Sequence, residues 1–315
     1  MLTFVVQQTM FFFIPLMIVA LGGMYSERSG IVNIALEGIM LISAFTSILF
    51  ISTFQAQIGG QTTLVLAIFI AALTGMLVSV FHAYAAINLK ADQVISGVAI
   101  NMFAPAFAIY TARIVGTTQQ VHFVNEYRID SIYFLGNIPV IGPWFFQNTY
   151  ITTYLGLIIL VVAWFVLYKT PFGLRLRACG EHPQAADSLG INVYKIRWLA
   201  VLISGALAGL GGLVLIVPTS IVFNATVNGY GFLALAVLIF GQWKPYRIAL
   251  AAFFFGFMQA IAASHSGIDV LRALNIPAHF YRMLPYVATL VVLAFTSKKS
   301  MAPRAAGKPY DKGAR

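Results

Sequence analysis

Charge is scarce in this sequence. Asp, Glu, Lys and Arg together make up 9% of its 315 residues, too little to coat a water-soluble domain of that size with polar surface. Cysteine is nearly absent too: the single Cys179 excludes an intramolecular disulfide and any multi-cysteine metal site, and it reads as an ordinary small residue. The motifs of catalysis are missing as well. There is no Gly-x4-Gly-Lys-Ser/Thr phosphate loop, no His-Glu-x2-His and no Gly-x-Ser-x-Gly, and the five histidines are scattered without ligand spacing. The chain is therefore expected not to be an enzyme and to carry no metal or cofactor of its own. If it moves a solute uphill, the energy must come from an ion gradient or a separate ATPase. No Lys or Arg precedes Arg28, so the basic region of a secretory signal is lacking and the first apolar run reads as a retained span.

What the sequence has instead is apolar length. Hydrophobic residues are 60% of the total and the mean hydropathy is +0.88. The apolar runs are long enough to cross a bilayer core as helices of about 20 residues, without the ten-residue alternation of a β-barrel. The fold class is all-α: a polytopic transmembrane helical bundle. About nine spans are expected, near residues 4–22, 31–51, 63–88, 92–111, 150–168, 197–217, 230–241, 247–264 and 281–297. The seventh is short for a full crossing and is expected to be tilted, partly re-entrant or extended into Asn228-Gly229-Tyr230-Gly231.

Lys and Arg are retained on the cytoplasmic side. One cluster is Lys169, Arg175, Arg177, Lys195 and Arg197; the other runs from Lys298 and Lys299 through Arg304, Lys308, Lys312 and Arg315. Four spans separate them, so both lie on one side, together with Arg28, Lys90, Lys244 and Arg247. That places the N-terminus outside and the C-terminus inside. The net charge of +10 then reflects topology and anionic membrane lipids, with no nucleic acid as partner. Residues 1–302 form the membrane domain, with a cytoplasmic loop at 169–198 and a long external loop at 113–149. Residues 303–315 read as a basic, disordered tail.

Polar residues inside the spans are the candidate functional groups. In "SERSGIVNIALEG" (26–38), Asn33 and Glu37 are four apart and are expected on one face of the second helix, above Gly30. That stripe either faces a pathway, where an amide and a carboxylate suit ribose hydroxyls or base nitrogens, or forms a structural network in which Glu37 pairs with Arg28 or caps backbone near a helix break. Gln93 and Asn101 in the fourth helix are likewise either pathway contacts or interhelical hydrogen bonds, and Asp92 is a candidate N-cap. Gly205, Gly209 and Gly212 form a close-packing surface, within one subunit or at a dimer seam. A faint echo of 30–40 in 229–239 would place an inverted repeat about the route. In the 169–198 loop, residues 182–191 are expected to form a short helix stopped at Gly190, which either docks a cytoplasmic partner or lies on headgroups.

That loop, with Gln184-Ala185-Ala186-Asp187-Ser188-Leu189-Gly190, resembles the coupling segment of bacterial ATP-binding-cassette importer permeases, whose signature is Glu-Ala-Ala-x3-Gly; Gln replaces the Glu. The stretches "GGMYSERSGIVNIALEGIMLISAF" and "YGFLALAVLIFGQWKPYRIALAAFFFG" resemble the branch carrying nucleosides, simple sugars and branched-chain amino acids, most closely its nucleoside permeases. The resemblance covers nearly the whole chain, from Pro15 to Phe295. It implies a nucleoside-translocating subunit of the bacterial cytoplasmic membrane. Its implied partners are a second homologous permease subunit, an extracytoplasmic substrate-binding protein, and an ATP-binding-cassette ATPase that holds ATP and Mg and grips His182, Gln184, Ala185, Ala186 and Gly190. Sugar or branched-chain amino acid transport stays open, as do an ion-coupled secondary transporter using Glu37 and a passive channel.

Overall fold

The computed structural model describes residues 2–116, 119–133, 135–139, 141–267, 277–296 and 301–313. A helix that is apolar all round can meet either its neighbours or lipid tails, so burial against other helices is what sorts the bundle. Helices α1 (Leu2–Arg28) and α9 (Val193–Thr219) are central, with 67% and 78% of their apolar stretches buried, whereas α4 (Gln93–Val115) has 17% buried and turns most of its surface outward. Between these extremes lie α2 (Leu36–Ile58), α3 (Gly60–Ala83, continued as a π-turn at Tyr84–Asn88), α6 (Ile151–Lys169) and α11 (Pro245–Ser264). These seven, taking α3 with its π-turn, are the helices among the described residues that are long and apolar enough to cross a membrane. The remaining expected crossings are the 11-residue α10 (Tyr230–Phe240) and the 19-residue α12 (Ala278–Thr296).

Small residues set how closely the central helices approach. Gly205 and Gly209 of α9 sit against Gly75 of α3, where a methyl on Gly209 would come within 3.0 Å of the Gly75 Cα, and Gly212 abuts the Met40 carbonyl of α2. All three glycines are engaged within the chain.

One end of the bundle is closed by the 113–149 segment. It contains β1 (Val121–His122), β2 (Ile129–Ser131), α5 (Ile141–Phe145) and β3 (Gln147–Thr149). β1 pairs antiparallel with β4 (Val222–Phe223), and β2 with β3. Asn125 Nδ2 donates to the Val217 carbonyl at 2.7 Å, and Gln61 Nε2 to that of Tyr127 at 2.9 Å. These bonds fasten the loop down as a cap.

The opposite end gathers the basic groups. Arg28 Nη2 donates to the Trp243 carbonyl at 3.0 Å, and its Nη1 lies 3.9 Å from Glu181 of α7 (Pro171–Glu181). Here the structure corrects the expectation of a disordered tail, because residues 301–313 are laid against this face. The amide of Ala305 donates to the Gly180 carbonyl and that of Gly307 to the Gly30 carbonyl, at 2.9 and 3.1 Å. A Pro- and Gly-rich composition suggested no structure, yet the segment borrows backbone partners from the bundle and buries Tyr310. Arg197, counted in sequence among the loop charges, is 1% exposed.

Candidate functional site

Between α1 and α2 the chain is not helical. α2 starts at Leu36, so Asn33 and Glu37 do not share a helical face as expected: Asn33 lies in the unwound stretch 29–35 and Glu37 in the first turn of α2. Gly30, at φ +98°, begins the break. Bare backbone at membrane depth is tolerated only where protein satisfies its polar groups, and here side chains from four helices do so. Ser26 Oγ donates to the Ile31 carbonyl at 2.7 Å, and Gln93 Oε1 accepts the Val32 amide at 2.7 Å. His82 Nε2 lies 3.0 Å from the Val32 carbonyl. Asn101 donates to the Ile34 carbonyl at 2.9 Å while its Oδ1 accepts the Gly38 amide at 2.8 Å. Arg197 Nε reaches the Ser29 carbonyl at 3.1 Å. Asn33 accepts the Ala35 amide at 3.2 Å and donates to Ser204 Oγ of α9 at 2.9 Å. Gly97 and Gly38 bring α4 close enough for these bonds: a methyl on Gly97 would stand 3.0 Å from the Ala35 nitrogen.

Glu37 performs the same service for a second break. Its Oε1 accepts the Gly229 amide at 2.9 Å and its Oε2 the Gly231 amide at 2.6 Å. Gly229 is left-handed at φ +77° and opens α10 without a side-chain cap of its own. A carboxylate there satisfies orphan N–H groups and complements the positive end of the helix dipole. Arg28, the alternative partner considered from sequence, is engaged elsewhere. The two segments linked by the sequence echo therefore meet at their N-terminal ends, α10 against the first turn of α2.

The segment leading to α10 lines a cavity of about 290 Å³ whose walls include Phe12, Thr219, Ser220, Asn224, Asn228 and Tyr230. Phe12 and Tyr230 stand with ring centroids 6.4 Å apart. With α10 rising about 1.5 Å per residue, its 11 residues span about 16 Å, roughly half of a bilayer core, and the cavity lies at its N-terminal end. Of the expected alternatives for the seventh span, extension into Asn228-Gly229-Tyr230-Gly231 reaches only as far as Tyr230, where α10 begins; the run of Thr, Ser and Asn at 219–228 is the sequence signal for this wall.

At the basic end, α8 (Pro183–Ser188) is shorter than the expected 182–191 helix. His182 is its N-cap residue, and Gly190, left-handed at φ +80°, follows its C-terminus, with Ile191 N bonded to the Ala186 carbonyl at 3.1 Å. Proline at the first helical position favours the start. The two alanines part company: Ala186 is buried at 2% exposure, while Gln184 and Ala185 face out. Leu189 is 82% exposed, beside a groove of about 420 Å³ with Phe172, Arg175, Lys195 and Leu199 on its walls.

Sequence reasoning missed His82, Ser204 and Arg197 as supports of the break. It also missed Glu27, a carboxylate 7% exposed that accepts the Trp243 indole N–H at 2.6 Å. Charged or polar residues at the edge of apolar runs were the available signal. No group of three or more His, Cys, Asp or Glu side chains among the described residues could hold a metal ion.

A family model described as branched-chain amino acid transport system / permease component matches residues 5–293. The chain is 43% identical to the guanosine ABC transporter permease protein NupQ of Bacillus subtilis, covering 100% of this chain and 98% of that one. It is 41% identical to the nucleoside ABC transporter permease protein NupC of Lactococcus lactis, over 99% and 98% of the two chains. A putative glucose ABC transporter permease protein, TsgC13 of Haloferax volcanii, is 30% identical over 92% and 91%. No solved structure matches.

Proposed function

From the premise that this chain belongs to the permease-component family of branched-chain amino acid transport systems, we propose that it is the membrane-spanning subunit of an ATP-driven importer whose solute is a nucleoside. The observation that carries the reading is its end-to-end likeness to two nucleoside permeases. The geometry supports it with an aromatic and hydroxyl- and amide-lined cavity at one end of the bundle and an exposed docking helix at the other. The basic end, which holds the 169–198 loop, Lys90 and the 301–313 segment, faces the cytoplasm by the retention of Lys and Arg there. The capped end then faces outward, with nine passes counting α10 as the seventh. Solute delivered by a binding protein enters the cavity beside Tyr230. A second permease subunit completes the pathway, and an ATPase carrying ATP and Mg engages α8 through Gln184, Ala185 and Leu189. ATP binding shifts the population between outward- and inward-open states, because the ATPase pair favours one spacing of its docking helices.

The ion-coupled alternative loses ground at Glu37, both of whose oxygens are committed to backbone amides. The test is uptake of labelled guanosine, adenosine, uridine, ribose, glucose and leucine by cells expressing the chain with its neighbouring genes. Nucleoside uptake is expected, and Ala185→Glu is expected to abolish both uptake and ATPase co-purification. Uptake of ribose, glucose or leucine alone would sink the nucleoside assignment; uptake that survives without the ATPase would sink the importer.

A further inference from the structure

The 301–313 segment touches α7, α8, α9, the first break and the α10–α11 turn at the basic end. Met301 N donates to Gln242 Oε1 in the α10–α11 turn at 2.9 Å. Gly307 N holds the Gly30 carbonyl at the start of the break, and Arg197, whose Nε holds Ser29, extends Nη1 to the Lys308 carbonyl at 3.2 Å. Tyr310, 4% exposed, lies under the Arg197 guanidinium at 5.9 Å and packs on Tyr194 at 5.4 Å. Its hydroxyl bonds Asp187 of α8; burial first, and then this bond to the neutral phenol, push its pKa up. Lys312 Nζ is 3.8 Å from the same Asp187, and Asp311 pairs with Lys90 at 2.8 Å beyond the π-turn of α3.

A continuous path therefore runs from α8 through Asp187, Tyr310 and Arg197 to Ser29 and Gly30, and along the break to the first turn of α2, whose Glu37 holds α10. α8 itself has six residues, too few to be stable alone, so its position is set by what packs against it. We propose that the C-terminal strap, through Tyr310, is a positioning element that couples displacement of α8 to the unwound segment 29–35, so that ATPase motion reaches the transport route. This rests on the importer reading, but not on which solute is carried.

The readout is solute transported per ATP hydrolysed, measured on the assembled transporter in vesicles with whichever solute the wild type carries, so a failure of the nucleoside assignment leaves the test intact. Tyr310→Ala, and separately a chain ending at Gly307, are expected to lower that ratio about tenfold while the ATPase still co-purifies and ATP hydrolysis stays within twofold. Tyr310→Phe keeps the ring and loses the bond to Asp187; it is expected to recover part of the ratio. A purely structural role would lower hydrolysis and transport together and leave the ratio unchanged, which would overturn the proposal. So would loss of ATPase co-purification in Tyr310→Ala, because the strap would then be part of the docking surface, and so would an ATP-independent wild type. Truncation beyond Gly307 that leaves the ratio at its wild-type value would overturn it even if Tyr310→Ala fails to fold.

Discussion

The chain breaks its helices twice on the way into the bundle, at 29–35 and at 220–229, and the two breaks are built on opposite plans. The first is closed: its amides and carbonyls are taken by Ser26, His82, Gln93, Asn101 and Arg197, brought in from α1, α3, α4 and α9. The second is tied by backbone pairing of Val222 and Phe223 with β1 and by its own hydroxyls, as Ser220 accepts the Val222 amide at 3.1 Å and Thr226 that of Asn228 at 3.0 Å. It then turns its remaining polar side chains to a cavity. Glu37 joins the two, rooted beside the first and capping the helix that follows the second. In a membrane protein, then, the polar residue that stands out in sequence can be the one holding backbone, while the residues free to meet a solute belong to a plainer stretch.

The largest expected effect comes from opening the closed break. Asn101→Ala leaves the Gly38 amide and the Ile34 carbonyl without partners, at about 1–3 kcal/mol for each buried group. Thermal unfolding in detergent should show a drop of several degrees, with uptake falling only as folded protein falls. Unchanged stability would break the contrast between the two segments. Glu37→Gln should cost less, about 1–3 kcal/mol in all, because one acceptor oxygen survives for one of two amides. A variant of normal stability that no longer transports would move Glu37 from support to route. Asn224→Ala, on the open break, should leave unfolding within about a degree of wild type and raise the KM for nucleoside several-fold, since a side chain facing the cavity rather than packing is removed. A stability loss equal to that of Asn101→Ala would show the second break to be closed as well.

The smallest effect is expected where the strap reaches the surface. Asp311→Asn removes an exposed pair, so uptake should change little, and limited trypsin cleavage after Lys308 or Lys312 should quicken modestly, less so at high salt. The Lys90 ammonium, by hydrogen bond and charge, holds the Asp311 carboxyl below its ordinary 3.8. A depressed carboxylate stabilises above the unfolded value and loses that contribution as pH falls through the folded one. Cleavage in the wild type should therefore be governed by this pair equally at pH 6 and pH 8.

Much of the site was legible as composition and little of it as geometry. Asp92 caps α4 as read, accepting the Val94 and Ile95 amides at 2.8 and 3.1 Å, because an N-cap depends on neighbours in sequence. Gly190 ends its helix for the same reason. Asn33 and Glu37 were placed on one helical face because a period of 3.6 presumes a helix, and nothing local reveals that Gln93, 60 residues on from Asn33 in the numbering, will unwind the stretch by offering it better partners. The tail misled in the same way, since Tyr310 has no local partner and finds Arg197 and Asp187 only across the fold.

By itself, then, the sequence determined the solvent this protein folds in, its all-helical class and the caps that end its helices, all consequences of local transfer energies and short-range hydrogen bonding. Tertiary structure alone decided which polar groups support the backbone and which face a cavity. A buried carboxylate or amide takes whichever partner the packed helices bring within about 3 Å, and that choice is made between residues far apart in the chain.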